Sequence, residues 1–184
     1  PENTADDSIS VITYKTFGGT HILNKPETIE SRNYLEQKVA LKTLDYYSGG
    51  NLKSETAENN IHDEYSPGDP VVNYTYDVPY NNLKTISDPI NSTYLTTLSY
   101  IVPEGDETTD IADLFPTTVT NALGHEKKKS YDPGTGNVMS ITDPNGSITS
   151  YEYDSFGRPV GELRPDGGYT RTEYSLYQEG VQNH

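Results

Sequence analysis

The sequence predicts an all-β fold, a ribbon of antiparallel β-hairpins, and three observations predict it. Tyrosine is abundant, at 16 of 184 residues, and tyrosine and threonine both suit a pleated, half-buried surface. Fifteen glycines and 12 prolines punctuate the chain. The last third repeats a short pattern of turn and strand residues. Leu, Ile, Val and Phe supply only about a fifth of the residues, a level close to that of disordered chains. Tyrosine offsets this, because each ring can bury roughly 150–250 Å² while its hydroxyl finds a partner. A compact β-sandwich is the alternative that the same composition allows.

The charge balance narrows the function classes. Thirteen Lys and Arg against 28 Asp and Glu give a net charge of −15 and a sequence pI near 4.4. A duplex-binding surface neutralises phosphates with Lys and Arg, so nucleic acid is excluded as a partner. The same charge opposes docking on anionic lipid. Apolar runs are a few residues long, far below the roughly 20 that span a bilayer, so no membrane insertion by this segment is expected. The absence of cysteine removes disulfide frameworks, thiolate zinc sites and cysteine nucleophiles.

Taken in order, residues 1–10 are polar and read as a frayed segment. Residues 11–116 read as degenerate hairpin repeats with loops near 55–70 and 103–116. Thr16-Phe-Gly-Gly19 and Asp45-Tyr-Tyr-Ser-Gly-Gly-Asn-Leu52 look like hairpin turns. Thr28 to Thr43 is the one stretch with a helical option, although Leu35, Val39 and Leu41 fit a helix no better than a strand. Tyr74-Thr-Tyr-Asp77 continues into Asp88-Pro-Ile-Asn91, a fainter copy of the units nearer the C-terminus. Residues 117–177 hold three regular repeats, and 178–184 form a tail.

The regular repeats align on Gly124, Gly146 and Gly167, spaced by 22 and 21 residues. Tyr131, Tyr153 and Tyr174 each follow their glycine by seven residues. The one-residue difference falls in a turn, where Tyr131-Asp132-Pro-Gly-Thr-Gly136 is longer than Tyr153-Asp154-Ser-Phe-Gly157. Asp143-Pro-Asn-Gly146 and Arg164-Pro-Asp-Gly167 are turn signals, since proline presets φ and glycine accepts a positive one. Ser147 to Tyr153 is then one strand, with Thr149, Tyr151 and Tyr153 on one face. Arg158 to Leu163 is the returning strand. Tyr76 and Asp77 match Tyr153 and Asp154.

Tyr153-Asp154 followed by Gly157-Arg158, with Asp-Pro-x-Gly between units, resembles the tyrosine–aspartate (YD, or Rhs) repeat. The stretch from Phe115 to Ser175 is similar to the repeat region of bacterial toxin-complex B components and SpvB-like proteins. The resemblance implies a ribbon of antiparallel strands that forms part of a spiralling shell. It implies a non-enzymatic structural role, enclosing or scaffolding a toxin cargo in a secreted bacterial toxin. The implied partners are other segments of a larger toxin-complex or Rhs polypeptide and a protein cargo. The repeat signature falls on Tyr76, Asp77, Gly124, Tyr131, Asp132, Gly136, Gly146, Tyr151, Tyr153, Asp154, Gly157, Arg158, Gly167 and Tyr174. Some members self-cleave with aspartates near the end of the Rhs core. Tyr131-Asp-Pro-Gly-Thr-Gly-Asn137 echoes that sequence but has Ser130 and Asn137 where the family favours Arg, and it aligns as an ordinary repeat.

No other motif supplies chemistry. Histidines at 21, 62, 125 and 184 show no ligand spacing. The acidic run Glu104 to Asp113 lacks the order of a calcium loop. Gly18-Gly19, Gly49-Gly50 and Gly167-Gly168 lack the strand and helix of a dinucleotide site. Lys127-Lys-Lys129 is the one basic cluster, expected on a solvated strand face beside Thr149, Ser150 and Tyr151. No cofactor, metal or catalytic residue is assigned. The alternative function is a surface binding module for a glycan or a partner protein. Isolated from its neighbours, an open array exposes unpaired strand edges, so the chain is expected to self-associate or else to cover one edge with its irregular N-terminal region.

Overall fold

The computed structural model describes residues 8–18, 22–58, 68–78, 80–100 and 114–175. The frayed segment before Ser8, the acidic run 104–113, His21, His62 and His184, and the tail lie outside the described residues. Those described contain strands and turns and no helix. The chain divides into two compact units, Pro1–Leu98 and Ser99–His184.

The N-terminal unit carries β1 (Ile9–Tyr14), β2 (Pro26–Arg32), β3 (Lys38–Tyr46), β4 (Leu52–Ala57), β5 (Val71–Tyr76), β6 (Leu83–Ser87) and β7 (Leu95–Ser99, ending at the unit boundary). Each strand pairs antiparallel with the next in the chain. The helical option over 28–43 is therefore corrected. Thr28 to Arg32 lie in β2, Lys38 to Thr43 lie in β3, and a tight turn at Asn33–Gln37 joins them. Tertiary pairing overrode an indecisive spacing: Ile29 and Glu30 face Lys42 and Leu41 across the ladder. The loop expected near 55–70 also starts later, because Glu55, Thr56 and Ala57 belong to β4.

The C-terminal unit carries β8 (Thr118–Thr120), β9 (Glu126–Tyr131), β10 (Val138–Thr142), β11 (Ile148–Tyr153), β12 (Pro159–Leu163) and β13 (Tyr169–Arg171). They too pair in chain order, all antiparallel. Each unit is thus a meander, and packing contacts run between chain-neighbour strands rather than across stacked sheets. The β-sandwich alternative does not describe them.

The core is thin. Among the described residues, Tyr131 is the one large apolar side chain that is buried, and none is fully enclosed. Turn tips project apolar groups into solvent, with Val78 and Ile90 each 92% exposed. Ladder bonds and cross-strand pairs must do what a core does elsewhere. Hydroxyl pairs lie directly opposite one another at Thr13–Thr28, Thr75–Thr85 and Ser130–Ser140, with oxygen separations of 2.7, 2.6 and 2.6 Å. Such pairs contribute roughly 0.2–1 kcal/mol each.

Candidate functional site: the tyrosine-tied turn edge

The turns share one chemistry. At Asn33, Tyr47, Asn121, Asp143, Asp154 and Arg164 the first residue accepts from the amide three positions on and donates to the carbonyl four positions on. This is a three-residue hairpin loop, a type I turn followed by a left-handed residue. Glycine fills the left-handed position at 50, 124, 146, 157 and 167, with φ between 80° and 86° for all but Gly157 at 76°. Glu36 takes it at φ 61° in the first of these turns. Two turns are one residue longer: Asp132 donates to Asn137 and Asp77 donates to Asn82. Gly136 and Asn81 hold their left-handed positions, at φ 73° and 64°.

An acidic or amide side chain opens most of the turns. Asp154 Oδ1 accepts from the Phe156 and Arg158 amides at 2.9 and 3.0 Å. Asp143 Oδ1 accepts from Asn145 and Ser147, both at 2.8 Å. Asn121 and Asn33 do the same for their own turns. Asp132 Oδ1 accepts from Gly134 and Thr135, at 3.1 and 2.8 Å, and so caps its turn. These donors hold the carboxyls below the usual range. The leading causes are the Thr135 hydroxyl for Asp132, the Ser147 amide for Asp143 and the Arg158 side chain for Asp154.

A tyrosine closes the strand before alternate turns, and its hydroxyl reaches back. Tyr46 donates to the Pro26 carbonyl at 2.7 Å, and Tyr76 to the Leu52 carbonyl at 3.0 Å. Tyr131 donates to Pro116 and Tyr153 to Val138, both at 2.9 Å, and Tyr174 to Pro159 at 3.0 Å. In each case the acceptor lies at the start of the preceding strand or, for Pro116, two residues before it, and Tyr174 itself stands three residues past the end of β13. Ladder register shifts at Tyr46, Tyr76, Tyr131 and Tyr153, where a β-bulge ends regular pairing. These shifts fall in the ladder with the following strand. The ladder with the preceding strand, to which the hydroxyl ties, ends three residues before each tyrosine, at Thr43, Asn73, Lys128, Ser150 and Arg171. Burial raises the pKa of Tyr46, Tyr76, Tyr131 and Tyr153, which keeps them protonated donors.

Three features fill the space beside these ties. Phe115 stacks on Tyr131 with ring centroids 5.0 Å apart, over Gly136. The Arg158 guanidinium sits 4.3 Å from the Tyr174 ring centroid and bonds Asp154 Oδ2 through Nε at 2.8 Å. Gly161 lies between Glu152 on β11 and Arg171 on β13. Above it the Tyr169 hydroxyl donates to Glu152 Oε2 at 2.9 Å.

The structure thus places Tyr76, Asp77, Tyr131, Asp132, Gly136, Tyr153, Asp154, Gly157 and Arg158 at turns of the tied kind within their own units, and Tyr174 makes a tie of the same type. Gly124, Gly146 and Gly167 fall in the intervening turns. Tyr151 is half-buried in mid-strand opposite Glu162 and makes no tie of this type. Tyr46, Asn121, Asp143 and Phe115 belong to the same arrangement without a place in the repeat signature. An Asp or Asn three residues before a glycine is the signal that marks Asn121 and Asp143.

Lys127 and Lys128 are exposed and Lys129 is half-buried. Their neighbours differ from those expected. Lys127 and Lys128 face Val119 and Thr118 on β8, and Lys128 and Lys129 face Thr142 and Ile141 on β10. Residues 149–151 lie one strand further on, because β10 intervenes. His125 is exposed. Among the described residues no three potential ligands cluster to hold a metal.

Residues 131–169 match the RHS repeat family model. No curated protein matches the sequence. Among solved structures, the chain is similar to one in the crystal structure of TcdB2-TccC3-Cdc42, with a TM-score of 0.55, 10% identity and 92% of this chain covered. The TcdB2-TccC3 crystal structure gives 0.54, 11% and 92%. The Tc holotoxin pore of Photorhabdus luminescens, with a mutated TccC3, gives 0.51, 17% and 94%. This chain spans 10–11% of the length of those chains.

Proposed function

We propose that this YD/Rhs-repeat protein is a non-enzymatic wall segment of a shell that encloses or scaffolds a toxin cargo in a secreted bacterial toxin. The observation that carries the reading is the backward tyrosine tie, made five times among the described residues. It lets one hairpin be added to the next without a hydrophobic core, so a wall one sheet thick can be extended to any length. The RHS repeat over 131–169 and the shared fold with Tc toxin chains support it. On this reading residues 117–177 are three regular wall units and 11–116 are degenerate ones. The Tyr-Asp and Gly positions are then construction elements rather than catalytic groups. Its partners are neighbouring segments of the larger polypeptide and the cargo.

The test uses the full-length polypeptide that carries this segment. Electron microscopy combined with protease protection of its cargo region should reveal a hollow particle that shields the cargo. Deleting the hairpins between residues 131 and 169 should expose it. A particle without a cavity overturns the reading. Saturable binding of the purified chain on a glycan array, with the cargo unprotected, favours a surface binding module instead.

A further inference from the structure

In the C-terminal unit, the chain's own Arg158 crosses from Asp154 in the 154–158 turn to the ring of the next tie tyrosine, Tyr174, and forms one wall of the groove there. The corresponding space in the N-terminal unit lies between the 47–51 turn and Tyr76. Asn51 holds the position of Arg158 there, as the last residue of its turn. Tyr76 holds the position of Tyr174, tied to the strand that follows that turn. An asparagine is too short to reach across. The groove here is about 330 Å³ and is lined by Tyr47, Asn51, Thr75, Tyr76, Asp77 and Val78, among others.

The groove's walls are ready for a planar cation. The Tyr47 and Tyr76 rings meet edge to face, with centroids 6.1 Å apart and planes at 90°. The Tyr47 hydroxyl is anchored by donating to the Tyr74 carbonyl at 3.1 Å, so the ring is held in place. Asp77 adds a carboxylate, fixed by accepting the Asn82 amide at 2.7 Å. Val78, 92% exposed, forms an apolar lip. The whole chain carries a net charge of −15, which attracts cations to its surface.

We infer that this groove is a binding site for a guanidinium group, and that it takes the arginine side chain of a neighbouring protein segment. The incoming arginine makes from outside the kind of contacts, with a tyrosine ring and a carboxylate, that Arg158 makes from within. A guanidinium can lie over an aromatic ring while it donates to a carboxylate in its own plane. An ammonium is a more strongly hydrated point charge and cannot do both as well. The inference goes beyond the shell reading and stands whether or not the segment lines a shell.

The experiment titrates N-acetyl-arginine amide into the full chain and follows the ring resonances of carbon-13-labelled tyrosine. N-acetyl-lysine amide, with the same charge, is the control. Saturable shifts of Tyr47 and Tyr76 with the arginine compound are expected, with a dissociation constant on the order of 1–10 mM. The lysine compound should shift them far less. Asn51→Arg should abolish the effect by supplying an internal occupant. Asp77→Asn keeps the Oδ1 acceptor for the Asn82 amide and should weaken binding severalfold. Equal shifts from both compounds, no saturable shift, or unchanged binding in a folded Asn51→Arg chain would each overturn the inference.

Discussion

Replacing Gly136 with alanine should destabilise the C-terminal unit more than replacing Gly146, although both residues have left-handed φ. The angles are 73° and 85°, and an L-residue pays roughly 1–2 kcal/mol to occupy that region. The two sites then diverge. A Cβ on Gly146 meets nothing within 4 Å. A Cβ on Gly136 would stand 2.7 Å from Phe115 Cζ and 3.0 Å from Cε2. That ring cannot simply withdraw, because it stacks on Tyr131, which is 6% exposed. Overpacking of this kind costs about 1–3 kcal/mol. Gly146→Ala should therefore cost about 1–2 kcal/mol and Gly136→Ala about 2–5 kcal/mol. The assay is native-state hydrogen exchange at the amides of β9 and β10, which reports the stability of these strands directly. Phe115→Ala supplies the control. With the ring removed, the two glycine substitutions should cost the same. Equal costs with Phe115 present, or a Gly136→Ala penalty that persists without it, would refute the argument that the ring's position governs this turn.

Other expectations concern the ties and the charges. Tyr153→Phe removes the hydroxyl bonded to Val138 and should cost about 1 kcal/mol in a urea melt, whereas Tyr151→Phe should cost almost nothing. Arg158→Lys loses the planar contact with Tyr174 and the in-plane bond to Asp154, and should cost about 0.5–1.5 kcal/mol by the same measurement. Lys15 and then Lys53, by bonding its carboxylate, hold the pKa of Asp45 far below the ordinary carboxylate value. That contribution is present above about pH 4, the unfolded value, and is lost as pH falls towards the folded value. Asp45→Asn should flatten the acid limb of a stability profile between about pH 4 and pH 2, and salt should weaken the effect in the parent chain. Light scattering of the isolated chain should show association that rises with protein concentration, through open strand edges. Thr172 donates its amide inward to Val160, so alternation directs the Glu173 amide outward. Glu173→Pro should therefore reduce association, while Thr172→Pro should mainly destabilise β13.

The fold was legible because its turns are local. A glycine seven residues before a tyrosine and an acid directly after it delimit β11, expected over 147–153 and found over 148–153. The return strand, expected over 158–163, occupies 159–163. Residues 28–43 were ambiguous for a physical reason. Their turn at 33–37 has Glu36 in the left-handed position, so the glycine that marks most of the other turns is missing. The site was less legible than the fold. The spacing shows that Tyr153 recurs but not what its hydroxyl meets, since Val138 lies 15 residues away and that distance depends on strand pairing. Phe115, which fills the space over Gly136, has no aromatic counterpart in the next hairpin, where Asn137 approaches the equivalent Gly157. Gly161 looks like any strand glycine until β13 brings Tyr169 over it.

The backward direction of the tyrosine tie gives the chain a built-in order of completion. Each acceptor carbonyl, from Pro26 to Pro159, waits for a hydroxyl encoded 15 to 24 residues later. A hairpin that has just left the ribosome is consequently unfinished until the following strand emerges, and is secured by it as synthesis proceeds. Since loops this short close at little entropic cost, assembly can advance like a zipper at the pace of translation, with no long-range search. The same polarity makes the two ends unequal. Trimming strands from the C-terminal side removes the tyrosine that secured the hairpin before it, whereas trimming from the N-terminal side leaves the remaining acceptors served.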